Sequence, residues 1–218
     1  FGFKPECGAR LGVMPRNGSN SDIKWIEINP CFVFHPMNAY EENEKIILHV
    51  CRQNKAMVGG MDEIYGGEDT TGKIWKWTIN LTSGTCSEEQ IDDRPCDFAR
   101  VDDRLVGLKA KNGYAMALNE KAETLTFDQY LYKFDLENNK RFDHNLGDNV
   151  FGGEPVFVPK SGSSSEDDGW VMAIVYDANI DKSKLIIVDT ENFDKKPVGE
   201  IILPQRVPFG AHGSWLSN

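Results

Sequence analysis

Four histidines, His35, His49, His144 and His212, are the residues of this sequence best suited to metal chemistry. His35 follows an apolar run and precedes a proline, so we expect it at a strand end with its ring near a buried space. His212 lies among small residues that let the backbone approach another group closely. A neutral imidazole in a dry pocket is a common transition-metal ligand, although a histidine at either position, taken alone, is more often a hydrogen-bonded core residue.

The other two histidines are weaker candidates for a metal site. His49 lies inside the apolar run at residues 46–51, which predicts packing in the core or on a sheet face. His144 has polar neighbours on both sides, which predicts an exposed side chain.

Two carboxylates are distinguished by their surroundings. Glu154 is set in the apolar and glycine-containing stretch at residues 151–159, where a buried carboxylate would need a donor or a cation. Asp97 lies in the stretch at residues 95–104, which contains two arginines. It would form a salt bridge to one of them or accept a hydrogen bond from a ligand imidazole, which fixes the histidine tautomer.

The elements that must position these residues are strands. Short apolar runs rich in β-branched and aromatic residues alternate with Gly, Asn, Asp and Pro, and no stretch keeps a helical period over three turns. The phrases at 76–81, 133–136 and 185–189 repeat a strand, a polar turn and a return strand, which is typical of β-propeller blades, although a sandwich also fits. Strands are predicted at residues 24–28, 46–50, 75–81, 130–136, 155–158, 170–176, 185–189 and 198–203.

Composition excludes several function classes. The net charge of −10 argues against a nucleic-acid partner, and no run approaches the length of a membrane-spanning helix. Five scattered cysteines fit neither a disulfide framework nor a zinc site and favour a reducing, cytoplasmic compartment.

Three polar segments are interpreted as surface structure. The acidic clusters at 92–93 and 166–168 predict solvated turns. The stretch at 160–169 predicts an exposed loop, and residues 53–71 predict a surface excursion that covers a site.

Five phrases, in order, resemble the carotenoid cleavage oxygenase family, which includes retinal-forming enzymes, apocarotenoid cleavers and lignostilbene dioxygenases. The resemblance implies part of a seven-bladed β-propeller, roughly its C-terminal half, in one partial domain over residues 1–218. The matching phrases are residues 29–42, 95–104, 151–159, 166–170 and 203–213.

The resemblance also implies an iron(II) site with four histidine ligands and three acidic residues that hold those histidines. His35 and His212 would be the last two ligands, and Glu154 matches one acidic residue directly. Asp97 stands where the family usually has Glu, so we expect its shorter side chain to reach its histidine less well or through water. The remaining ligands are expected upstream of Phe1, and the chain is therefore expected to be a fragment.

The implied reaction is cleavage of one conjugated C=C bond of an apolar carotenoid or apocarotenoid by O2. Such a substrate is compatible with loose peripheral contact to a membrane. A lignostilbene-type dioxygenase, a non-catalytic binding propeller and a facial triad of His35, His212 and one carboxylate remain alternatives. Residues beside the metal motifs are candidates for the substrate tunnel or for plain core: Phe34, Phe151, Phe209 and Trp215.

Overall fold

The computed structural model describes residues 3–56, 58–60, 63–64, 69–122 and 126–216. Strands and turns make up most of these ranges, together with short 3-10 helices at Pro5–Cys7, Asn20–Asp22 and Asp103–Leu105. Within the same ranges, no helix has the length and apolar character needed to cross a bilayer.

The strands confirm the all-β prediction, and each predicted run falls on one of them. In chain order they are β1 (Ala9–Val13), β2 (Lys24–Ile28), β3 (Phe32–Glu42), β4 (Lys45–Gln53), β5 (Val58–Gly60), β6 (Glu63–Ile64), β7 (Lys73–Asn80), β8 (Thr85–Gln90), β9 (Cys96–Arg100), β10 (Asn112–Leu118), β11 (Phe127–Asp135), β12 (Lys140–Asn145), β13 (Val150–Phe151), β14 (Val156–Pro159), β15 (Gly169–Asp177), β16 (Lys182–Asp189) and β17 (Gly199–Ile202).

Three antiparallel meanders follow one another along the chain, and we call them blades A, B and C. Blade A has the order β3-β4-β7-β8, and blade B has the order β12-β11-β10-β9. In blade C, β13 and β14 both pair with β15, which is followed by β16 and β17. Three successive meanders, each packed on the next, form the arrangement of propeller blades and not a two-sheet sandwich.

Blade B is buried between its two neighbours. Every residue of β10 is buried, and successive side chains of a strand point to opposite faces. Ala115 therefore belongs to the cluster that includes Cys51 and Ile74 of blade A. Met116, the next residue, belongs to the cluster that includes Val171 of blade C.

Acidic side chains link the blades, which corrects the prediction that their clusters are solvated turns. Lys133 of β11 is 6% exposed, and its Nζ lies 2.6 Å from both carboxylate oxygens of Asp167. The same ammonium donates to the carbonyl of Thr190 at 2.8 Å. Asp92, at the end of blade A, pairs with Arg141 of β12. The local sequence shows the acidic residues but not the cation that a distant strand buries beside them.

The two predicted surface segments have different outcomes. Residues 161–162 and 164–165 of the loop at 160–169 are exposed, but its last residues are tied to blade B and to β15. The predicted excursion at residues 53–71 lies partly outside the described residues. Within its described part, β5 and β6 pair as a short antiparallel hairpin.

We expect Asp167→Asn to lower the free energy of unfolding by about 2 to 3 kcal/mol, because it leaves the buried Lys133 ammonium without its counter-charge. Adding Lys133→Met should recover at least half of the loss, since an apolar side chain of similar length needs no partner. Urea unfolding of both variants measures the difference. A double variant less stable than Asp167→Asn would contradict this account of the pair.

Candidate metal centre

The candidate residues meet where the first strands of the three blades come together. β3 and β9 lie at the edges of blades A and B and pack against each other. They carry His35 and Asp97, respectively, while Glu154 lies in the break between β13 and β14 of blade C. His212 comes from the segment that follows β17. First strands of propeller blades surround the central axis, so His35 on β3 and Asp97 on β9 lie near that axis.

His35 lies within β3 and not at a strand end as predicted, because the strand continues through Pro36 to Glu42. Its pairing with β4 is irregular between Val33 and Pro36, and such a bulge redirects a side chain out of the regular ladder. The proline is tolerated because β3 is an edge strand. The His35 side chain is 21% exposed.

Asp97 contacts His35 directly, with 2.8 Å between Oδ1 and the imidazole Nδ1. The expectation that the shorter side chain reaches less well or through water is therefore wrong. A register shift in the pairing of β9 with β10 accounts for the reach, because the extra residue bends β9. Phe98, in that bulge, has φ of +54° and donates its backbone N–H to Asp97 Oδ1 at 2.8 Å.

The left-handed backbone of Phe98 costs about 1 to 2 kcal/mol for a residue with a Cβ. It lets two consecutive side chains serve one histidine, since the Phe98 ring lies 4.5 Å from the His35 ring, centroid to centroid. In a regular strand, Asp97 and Phe98 would point to opposite faces. The backbone strain is therefore located where it assembles the site.

Glu154 is positioned by a close approach of two backbones. A Cβ at Gly153 would lie 2.2 Å from the carbonyl oxygen of Ile174, so only glycine fits beside β15 at this point. Glu154 follows, with its side chain 9% exposed. Oε1 accepts a hydrogen bond from His212 Nδ1 at 3.0 Å, and Oε2 accepts one from the Gly213 backbone N–H at 2.6 Å.

The two imidazoles lie together, with ring centroids 5.0 Å apart and planes at 83°. Each Nδ1 faces a carboxylate, which only accepts, so in the neutral imidazole Nδ1 carries the proton and Nε2 has a lone pair free for a metal. This donor set fits a transition-metal ion. In the part of the chain that the structure describes, however, no group of three or more His, Cys, Asp or Glu could hold a metal ion. The facial triad gains no support, because both nearby carboxylates are bound to Nδ1 atoms.

The Asp97 hydrogen bond raises the pKa of His35 above its ordinary value, more than partial burial lowers it. The Asp97 and Glu154 charges act in the same direction. A proton therefore competes with a metal ion for His35 Nε2 at a higher pH than it would at a solvated histidine.

The remaining two histidines lie outside the site. His49 is buried, as predicted, and burial lowers its pKa to about 4. His144 was expected to be exposed, but it is 1% exposed and donates from Nδ1 to the Phe193 carbonyl at 2.9 Å. Alternation along β12 explains the error, because its neighbours in the strand are exposed or half-buried while His144 points inward.

A cavity of about 250 Å³ opens beside His212 and Glu154. Of the tunnel candidates, Phe209 and Trp215 line it, whereas Phe34, which is 42% exposed, and Phe151 do not. Phe209 and Trp215 reach the cavity from the segment that follows β17, whereas Phe34 and Phe151 are held in β3 and β13. The larger apolar and aromatic residues of its wall are Phe98, Met116, Phe127, Met172, Ile174, Tyr176, Leu185, Phe209 and Trp215.

Sequence reasoning missed three residues at the site. Phe98 and Phe127 line the cavity, with ring centroids 6.3 Å apart. Arg100 lies 3.4 Å from Glu154. Phe98 and Arg100 lie close to Asp97 within the phrase at residues 95–104, and that position could have marked them as candidates. Phe127 begins a strand in a different part of the chain, and no local signal marks it.

Several known oxygenases are similar to this chain. The family model of retinal pigment epithelial membrane protein matches residues 1–217. A carotenoid cleavage oxygenase of Mycobacterium tuberculosis is 33% identical over 222 residues, covering 99% of this chain and 44% of that protein. An isoeugenol monooxygenase of Pseudomonas nitroreducens is 27% identical over 227 residues, covering 98% of this chain and 47% of that protein.

Among solved structures, cobalt-substituted Synechocystis apocarotenoid oxygenase matches with a TM-score of 0.89 and 30% identity, covering 99% of this chain and 45% of that one. This match to a β-propeller enzyme confirms the predicted fold. The chain spans less than half the length of the relatives it matches.

Asp97→Asn should lower the pKa of His35, because the amide keeps a hydrogen-bond acceptor but removes the charge. Since the pKa is raised in the folded state, the proton-linked stability from this pair is fully present below the ordinary value of 6.5. It is lost as the pH rises through the folded pKa. An NMR titration of the histidine rings in the metal-free protein measures the shift, with His49 as internal reference. An unchanged His35 titration in Asp97→Asn would contradict the assigned cause.

Proposed function

This chain belongs to the carotenoid oxygenase family, the family of retinal pigment epithelial membrane protein, and from that premise we propose that its protein is a non-haem iron(II) dioxygenase. The substrate is a carotenoid or apocarotenoid, and one conjugated C=C bond is cleaved. O2 supplies one oxygen atom to each carbon of that bond, so that two carbonyl products form and no other co-reactant is needed.

The pair of imidazoles carries this proposal. His35 and His212 lie with ring centroids 5.0 Å apart, and each is held at Nδ1 by a carboxylate. This is the arrangement in which a histidine is oriented toward a metal through Nε2. The two residues are proposed as half of a four-histidine set, with Asp97 and Glu154 as the groups that orient them.

The chemistry that ferrous iron supplies when bound is the activation of O2 toward an alkene. The residues of this chain contribute orientation and charge. Neutral imidazoles leave the positive charge of a bound metal unbalanced, and Asp97 and Glu154 offset part of it without occupying coordination positions. The cobalt-substituted Synechocystis relative is consistent with a site that takes a divalent transition metal.

The cavity beside His212 supplies the binding part of the proposal. Its wall is predominantly apolar and aromatic, and Glu154 and His212 lie on the same wall as Phe98 and Phe127. An apolar conjugated chain fits such a wall, because burial of its surface is favourable and aromatic faces contact a flat polyene well. If the cavity holds the conjugated chain of the substrate in one position, that position selects which double bond is cleaved.

A second candidate within the same family is cleavage of a phenolic alkene of the stilbene type. The resemblance to an isoeugenol monooxygenase favours it, since isoeugenol is a phenol with a conjugated side-chain double bond. The site described here serves either substrate, because both present an apolar alkene to the same two histidines.

His212→Ala in the full-length protein should abolish iron binding and cleavage, because it removes one Nε2 donor and the partner of Glu154. His49→Met is the matched control, since His49 is buried in β4 away from the site and its ring nitrogens have no hydrogen-bond partner among the described residues. Iron per protein after anaerobic reconstitution and product formation are measured for both variants. Near-normal turnover by His212→Ala would overturn the metal assignment.

An assay of the iron-loaded protein with an apocarotenal and with a hydroxystilbene separates the two substrate classes. We expect a kcat/KM at least about tenfold higher for the apocarotenal, because the cavity wall offers mainly apolar contacts for a long chain. A higher kcat/KM for the hydroxystilbene would favour cleavage of a phenolic alkene over cleavage of an apocarotenoid. Absence of cleavage of both would contradict the proposed reaction.

A further inference from the structure

Arg100 reaches from the end of β9 to the segment that carries His212. Its Nη1 donates to the carbonyl oxygen of Gly213 and lies 3.4 Å from Glu154 Oε1. Its Nη2 donates to both carboxylate oxygens of Asp103, at 3.0 and 3.2 Å. The side chains of Arg100 and Glu154 are 19% and 9% exposed, so the contact between them is partly shielded from water, whereas Asp103 is 52% exposed.

His212 needs such support more than His35 does. The segment at residues 203–216 has no regular secondary structure, and the His212 side chain is 59% exposed. Glu154 binds the ring and the N–H of Gly213, while Arg100 binds the C=O of the same glycine. The ion pair of Arg100 and Glu154 therefore binds both the N–H and the C=O of Gly213, the residue after His212.

β9 thereby contacts both halves of the imidazole pair. Asp97, near its start, binds His35, and Arg100, at its end, binds the residue after His212. The strand is anchored on β10 and on the core between blades A and B, where Cys96 and Ala99 are buried. A rigid strand that contacts both partners fixes their relative position.

We propose that Arg100 is a positioning residue that holds His212 in place relative to His35, through Gly213 and Glu154. The expected effect on metal affinity rests on the proposed function, but the contacts of Arg100 with Gly213 and Glu154 do not. Lysine cannot replace arginine here, because an ammonium lacks the planar fork that donates to Gly213 and Asp103 at once.

The test compares Arg100→Lys with Arg104→Lys in the full-length protein. Arg104 is a matched control, since it pairs with Asp102 at 2.6 Å and donates to the Ser163 and Ser165 carbonyls, away from both candidate ligands. Asp103→Asn, which removes the negative charge and one of the two acceptors of Nη2 without changing Arg100, is a milder second variant.

Hydrogen–deuterium exchange of residues 208–216 in the metal-free protein is the first readout. We expect it to rise at least about tenfold in Arg100→Lys and to remain unchanged in Arg104→Lys, because only the first variant loosens Gly213. The second readout is the dissociation constant for Co²⁺, followed by its visible spectrum. A loss of about 10- to 100-fold in affinity is expected for Arg100→Lys alone.

Wild-type exchange at residues 208–216 in both Arg100→Lys and Asp103→Asn would overturn the positioning role. Equal changes in Arg100→Lys and Arg104→Lys would overturn it as well, since they would indicate a general loss of stability. If the wild-type protein binds no Co²⁺ or Fe²⁺, the proposed function fails. The exchange data then still decide whether Arg100 holds the His212 segment.

Discussion

The hydrogen bond between a carboxylate and the Nδ1–H of an imidazole is the interaction on which this site depends. It occurs twice, between Asp97 and His35 and between Glu154 and His212. Without it, a histidine ring is free to change tautomer or to rotate, and its Nε2 has no fixed direction. Each bond joins two segments that are distant in the sequence. Blades A and B must pack together before His35 is oriented, and the segment after β17 must lie against blade C before His212 is oriented.

The backbone departs from regular strand geometry at the positions that these bonds require. β3 and β9 each contain an irregularity next to the critical residue, Phe98 is left-handed, and Gly153 touches the carbonyl of Ile174. Such features cost free energy locally and are retained where the surrounding packing holds them. Blade B supplies that packing, because both of its faces are buried against neighbouring blades.

Two ion pairs also connect segments that are distant in the sequence. Lys133 and Asp167, like Arg100 and Glu154, bring a cation and a carboxylate from different segments into a partly dry environment. A buried charge is costly without its partner, so each pair makes the position of one segment depend on the other. The first pair joins blades B and C, and the second joins β9 to the break between β13 and β14, where Glu154 in turn binds His212 and Gly213.

Alternation and motif phrases are local properties, so they were enough to predict the all-β class, the strands at the predicted positions and the candidates His35, His212, Asp97 and Glu154. Sequence reasoning misjudged His144, the acidic clusters and the reach of Asp97, and it did not single out Phe98, Phe127 or Arg100. Those depend on which strand faces which, on a bulge that redirects a side chain and on partners that lie many residues away. Only the tertiary structure decides such pairings, because the energy of a buried polar group is set by its partner in space.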